Sequence, residues 1–229
     1  MTITQFQSLT DYSDGRHISQ FNQYCQNKLV NSENKPHNSI KITLGSSSLY
    51  RAQLLQRLQL PFETESPNID ENPLPTEKPL NTALRLACEK AKKISLNRKD
   101  SYIIGCDQVI ECQGKTLGKP FTNEKAREQL RWASGKTLSL YSGICLLSPK
   151  INSMQSDVIR ARVKLRNLHQ TEIDKYLSLE PALDCAGGLK IEGLGISLVK
   201  SVECSDPTGI IGLPLIRLSE MLRAEGINI

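Results

Sequence analysis

Residues 103–120 read IIGCDQVIECQGKTLGKP, an apolar run interrupted by Asp107 that then turns through a glycine to Lys119. An acid inside an apolar strand must find a cation, a hydrogen-bond donor or water, or else be neutralised. Asp107 is therefore a candidate to hold a divalent metal or to take a proton from water. The plain alternative is a turn-former satisfied by backbone N–H groups. Lys119 could be its partner cation, or an exposed hairpin lysine. Glu71 lies in the loop NIDENP and is a second candidate acid. Lys90, in CEKAKK at the edge of an apolar helical stripe, could reach into a cleft, although most such lysines snorkel.

Two further stretches suit an anionic ligand. In TLGSSSLYRAQLL a strand runs into three serines, including Ser46, and a helix bearing Arg51. Free N–H groups at a helix start suit phosphate, and a guanidinium adds a forked, permanently charged donor. The alternative is an N-cap serine beside a solvated arginine. No Walker loop is present. In LDCAGGLKIEGLGISL, four glycines bracket Lys190 and Glu192 and let backbone approach a ligand closely. Glu192 could accept hydrogen bonds from a base edge.

The elements that must position these groups alternate. IKITL reads as a strand and SLYRAQLLQRLQL as a serine-capped helix, followed by the proline-rich loop NIDENPLPTEKP. LNTALRLACEKAKKISL carries Leu80, Leu84, Ala87, Ala91 and Ile94 on one stripe, an amphipathic helix. SYIIGC and QVIEC are strand pieces, with Gln113-Gly114 a hairpin turn. NEKAREQLRWAS is a helix closed by Gly135. TLSLYSGICLL is a long strand, and VIRARVKLR alternates Ile159, Ala161, Val163 and Leu165 against Arg160, Arg162, Lys164 and Arg166. TEIDKYLSL is a short helix, GISLVKSVE a strand, and PLIRLSEMLRAEG a last helix with Pro214 at its first turn and Gly226 past its end. Helices and strands interleave, so the class is α/β with a mixed sheet.

The chain's 229 residues suffice for one large domain or two lobes. Only 5% are aromatic, which disfavours a stacking platform for single-stranded nucleic acid, and a spread net charge of +5 favours a small anion over a duplex. Seven scattered cysteines without a C-x-x-C pair read as free thiols. With no apolar run of membrane-spanning length and no leader pattern, a cytoplasmic protein away from membranes is expected. Residues 1–38 hold ten Asn and Gln and little apolar periodicity, so they read as a polar, flexible extension, with a helix within ISQFNQYCQNKLV left open. Residues 39–229 then form the folded domain.

Over residues 41–226 the chain resembles the Maf family of nucleoside triphosphate pyrophosphatases. The resemblance rests on LGSSSLYRAQLL, the Ile69-Asp70-Glu71 loop, Glu89-Lys90-Ala91, GCDQV, GKP at 118–120, AGGLKIEGLGI and GIIGLPLIRL, in that order. It implies an elongated α/β fold related to inosine triphosphate pyrophosphatases, with two lobes around a central cleft. It also implies cleavage of nucleotides between the α- and β-phosphates with a divalent cation, Mg2+ or Mn2+. By that resemblance Asp107 is the proton acceptor for water, Glu71 and Asp107 organise the metal, and Arg51, Lys90 and Lys119 neutralise the triphosphate. The partner expected is a small nucleotide rather than nucleic acid, and a homodimer is the one assembly left open.

Three positions separate the family's branches. The branch active on dTTP and UTP shows Arg, Thr and Gln there, and the branch active on 7-methyl-GTP shows Trp, Gln and Glu. This chain has Tyr50, Gln108 and Glu192. Methylation at position 7 makes guanine cationic, and an aromatic ring stacked on it gains roughly 1–2 kcal/mol. Glu192 could accept from the imino and exocyclic amino groups, and would repel the carbonyl edge of thymine or uracil. The resemblance thus favours hydrolysis of 7-methyl-GTP, a clearing of modified nucleotides. The alternatives are a dTTP or UTP pyrophosphatase of the same family and a non-catalytic nucleotide-binding regulator of cell division. Leu49 stands where the family has proline and Ala52 where it has a second basic residue, so one phosphate contact is expected to be missing.

Overall fold

The computed structural model describes residues 40–150 and 153–229; the expectations for residues 1–38 lie outside them. A seven-stranded mixed sheet has the order β2-β1-β3-β5-β6-β7, with β4 paired to β3 beside this path. Its strands are β1 (Ile42–Gly45), β2 (Glu63–Thr64), β3 (Tyr102–Cys112), β4 (Lys115–Leu117), β5 (Thr137–Leu147), β6 (Met154–Leu165) and β7 (Val199–Cys204). The helices are α1 (Leu49–Gln56), α2 (Pro79–Ser95), α3 (Asn123–Ala133), α4 (Gln170–Leu179) and α5 (Leu215–Ala224). β1 runs parallel to β2 and β3, and every other pairing is antiparallel. No described helix is long and apolar enough to cross a membrane.

β3 and β5 pair along most of their length and contribute to three packed clusters, two of them toward opposite ends of the sheet and the third under α2. Toward one end Ile104, Cys106, Ile144 and Leu146 pack with β1, α1 and α5. Toward the other end Ile110, Cys112, Leu138 and Leu140 pack with β4, β6, α3 and α4. Asp107 and Gln108 fall between these two end clusters, at the waist of the two-lobed sheet. The two expected strand pieces are therefore one continuous strand, and Asp107 interrupts its apolarity without breaking its pairing.

Gly143 faces Asp107 across the ladder, and Gly105 lies two residues before it. A side chain at Gly105 would strike the backbone of Ala87 and Ala91, and one at Gly143 the carbonyl of Ala83. α2 thus lies directly on bare backbone, and only a face of small residues permits so close an approach. That selects the face Ala83, Ala87, Ala91 and Ile94, and it carries Lys90 inside. The expected stripe is corrected here, since Leu80 is exposed and Leu84 only half-buried while Lys90 is 5% exposed.

Other expectations shift at element ends. Ser48 caps α1 by accepting from the Arg51 N–H, and α1 stops at Gln56. Gln113 and Gly114 both have positive φ, 51° and 80°, as a two-residue hairpin turn requires. Residues 194–198 form a 3-10 turn, so the last strand is shorter than its apolar pattern. Pro214 is the N-cap of α5 rather than its first helical residue. The six described cysteines are free thiols.

Candidate active site

Lys90 is the centre of the site. Its Nζ lies 2.7 Å from Asp107 Oδ1 and 2.7 Å from Glu71 Oε1. α2 supplies the lysine from above the sheet, β3 the aspartate from within it, and the 68–74 loop the glutamate. Among the described residues, Lys90 is the one hydrogen-bond partner of the Asp107 carboxylate. Burial pushes the Asp107 carboxyl above the ordinary aspartate range, against the pull of Lys90 and Arg51. The Glu71 side chain remains mostly exposed.

The loop carrying Glu71 is fixed by residues that sequence reasoning missed. Arg85 donates to the Asn72 carbonyl at 3.1 Å and to both Glu77 carboxylate oxygens at 2.8 Å. Glu77 also accepts from the Leu74 N–H and the Thr82 hydroxyl, so one carboxylate joins the loop to the start of α2. The Arg85 hydrogen bonds hold the Glu77 carboxyl down to about 2. Within the loop, Asp70 accepts from the Asn72 backbone and side chain, which tightens the turn after Glu71. The signal was present: Arg85 stands on α2 one turn before Glu89, with a second acid at its N-terminal approach.

Arg51 extends from α1 toward the same waist. Its Nε donates to Gly212 O at 3.1 Å, and its Nη1 donates to Cys106 O at 3.1 Å and to Ser46 Oγ at 3.4 Å. Those bonds fix the guanidinium plane beside Asp107. Among the described residues Nη2 has no hydrogen-bond partner, leaving it for an anion. Ser46 is buried, and its hydroxyl also accepts from the Ser48 N–H.

Tyr50 and Glu192 are brought together from opposite lobes. Tyr50 is half-buried beside Cys185, Asp184 and Glu192, and burial with these neighbours raises its hydroxyl far above the ordinary value. Solvent reaches Glu192, yet desolvation still raises its carboxyl, with Lys190 pulling the other way. Among the described residues no hydrogen bond joins Gln108 to Tyr50 or Glu192. Strand alternation turns it to the sheet face opposite Asp107, where its amide donates to Ser142 Oγ, Gly209 O and Ile210 O at 2.9–3.0 Å.

Among the described residues no hydrogen bond or ion pair joins Lys119 to Asp107. With Lys115, Lys125, Glu128 and Gln129 it lines a hollow of about 260 Å3 between β4 and α3. Two backbone bonds, Gly187 N–H to Gly118 O and Phe121 N–H to Leu183 O, tie its turn to the segment beside Tyr50. Asp107 was expected to meet Lys119; the close helix approach gives it Lys90 instead.

Glu71 and Asp107 are also the groups that would hold a metal. The described residues contain no cluster of three or more His, Cys, Asp and Glu side chains. Two converging carboxylates nevertheless fit a hard cation of the magnesium type, which keeps water and takes its remaining oxygens from phosphate.

The basic face of β6 is engaged within the protein. Arg160 lies against the Tyr141 ring, Arg162 pairs with Glu203, Lys164 donates to Gly135 O, and Arg166 donates to Ser197 O and Glu172.

A family model described as Maf-like protein matches residues 41–225. A protein named 7-methyl-GTP pyrophosphatase from Cupriavidus pinatubonensis is 48% identical over 186 residues, covering 81% of this chain and 94% of the relative. One of the same name from Methylobacillus flagellatus is 45% identical over 188 residues, covering 82% and 98%.

Proposed function

The chain belongs to the Maf-like protein family, and on that footing we propose that it is a metal-dependent pyrophosphatase that hydrolyses 7-methyl-GTP to 7-methyl-GMP and pyrophosphate. The observation that carries this reading is the single buried ammonium shared by Asp107 and Glu71 at the waist of the sheet.

Asp107 is the group assigned to accept the proton from the attacking water. Burial makes it a stronger base than a solvated aspartate, and Lys90 keeps a cation beside it while it works. Lys90 and the free Nη2 of Arg51 face the charge that develops on the transferring phosphoryl group. The serine-rich start of α1 offers backbone N–H groups to the remaining phosphates. Glu71 and Asp107 would hold the metal, which when bound would polarise phosphoryl oxygens. Lys119, which lines the hollow with Lys115 and Lys125, is the further cation offered to the triphosphate.

At the base, the Tyr50 ring offers its face to a cationic purine and Glu192 offers an acceptor to guanine's imino and amino groups. An acid at that place disfavours thymine and uracil, whose edges present carbonyls. Gln108 fixes the 207–210 turn against β3. Product analysis tests the reading. With magnesium or manganese, 7-methyl-GTP should give 7-methyl-GMP and pyrophosphate; a diphosphate with inorganic phosphate would contradict it.

A further inference from the structure

The Lys190 ammonium lies over the Tyr50 ring, 5.3 Å from its centroid. That is within the distance at which a cation is drawn to an aromatic face. Lys190 is held there along its length. Its Nζ is 3.1 Å from Glu180 Oε1, and its backbone N–H donates to the buried Tyr176 hydroxyl at 3.0 Å. Gly195 packs so closely on the Lys190 carbonyl that no side chain would fit there. Glu180 also receives the Leu194 N–H, so the turn that carries Lys190 and Glu192 is fastened to the end of α4 at two points. Asp184 and Glu192 both bear on the Tyr50 hydroxyl. One ammonium therefore lies over the ring in a pair with Glu180, while the Asp184 and Glu192 carboxyls bear on the ring's hydroxyl.

We propose that Lys190 is a resident stand-in for the base: its ammonium takes the place over Tyr50 that a cationic purine takes when bound, and the base displaces it onto its ion-pair partner Glu180. The proposal rests on the reading of a 7-methylated guanine as the ligand. It adds a positioning role for a residue outside the three positions that separate the branches.

The displacement has a defined consequence. Every incoming base must break the contact between Lys190 and Tyr50, so the lysine weakens binding of all of them. A cationic base is repelled further by the displaced ammonium. Removing the charge should therefore tighten binding, and should do so at least as much for the methylated base as for plain guanine. Chemistry at Asp107 and Lys90 should be left alone, because neither contacts Lys190.

The test compares wild type, Lys190→Met and Lys190→Arg, by calorimetric titration with 7-methyl-GMP and GMP and by turnover of 7-methyl-GTP. In Lys190→Met, Kd for 7-methyl-GMP and KM for 7-methyl-GTP should fall about two- to fivefold, with kcat unchanged. Lys190→Arg, which keeps a cation over the ring, should bind like wild type. In a Tyr50→Leu background the gain from Lys190→Met should vanish. An unchanged or raised Kd in Lys190→Met, in a variant whose thermal melt matches wild type, would overturn the proposal and make Lys190 a structural tie or a direct contact. Failure of the wild type to turn over 7-methyl-GTP would instead overturn the functional reading, and the titration would still decide the role of Lys190.

Discussion

Lys90 and Asp107, seventeen residues apart in sequence, form a buried ion pair at 2.7 Å in the gap between the two end clusters. The pair exists because Gly105 and Gly143 let α2 lie flat on the sheet, which turns a lysine into a face built mainly of small and aliphatic residues. Removing a paired charge from such a place leaves its partner unsatisfied. Lys90→Met should lower kcat/KM by about two to three orders of magnitude, read by pyrophosphate release. A loss of less than tenfold would mean that the lysine is only structural.

Asp107 is raised by burial and lowered by Lys90 and Arg51, with burial prevailing. In metal-free protein its carboxyl carbon, followed by 13C NMR, should titrate above the ordinary aspartate value of about 4. In Lys90→Met the midpoint should move higher still, since a cation that favoured the charged form is gone. A midpoint at or below 4 in wild type would show that the cations outweigh desolvation.

Arg85 and Glu77 hold the Glu71 loop from α2. Arg85→Met should leave the fold intact and raise the magnesium concentration needed for half-maximal rate by about tenfold. Unchanged metal dependence would remove the loop from the site. Glu77 also gives a stability signature. Its folded pKa, about 2, lies below the ordinary value of 4.5, so its contribution is present above 4.5 and is lost as pH falls toward 2. The difference in melting temperature between wild type and Glu77→Gln should be clear at pH 7 and close across that interval.

Gly143→Ala should be costly although it adds one methyl. The new carbon meets the Ala83 backbone, which cannot yield without shifting α2. A loss of about 2 kcal/mol or more in denaturant unfolding is expected. Gly114→Ala adds its methyl where nothing lies within 4 Å, so only its positive φ of 80° acts against it and the loss should be smaller.

Much of this architecture is written in local pattern. The alternation of Arg160 to Leu165, the serine at the start of α1 and Gln113-Gly114 all form what they indicate, because each depends on neighbours a few residues away. The partner of Asp107 was not legible, since it follows from two glycines on different strands meeting one helix. The contacts of Gln108 were not legible for a related reason. Alternation shows that it faces away from Asp107, but not that Gly209 and Ile210 wait for it there. Tyr50 and Glu192, 142 positions apart, meet only through the folding of the glycine-rich turn, and the glycines that bracket Lys190 in the sequence do not show that it lies over Tyr50.

The most direct measurement is pyrophosphate release by wild type and Asp107→Asn from 7-methyl-GTP, GTP, dTTP and UTP under one set of conditions. Wild type should favour 7-methyl-GTP in kcat/KM by at least about tenfold over each of the others, and Asp107→Asn should lose about a hundredfold or more on it. Equal or faster release from dTTP or UTP, or an Asp107→Asn variant as active as wild type, would contradict the account.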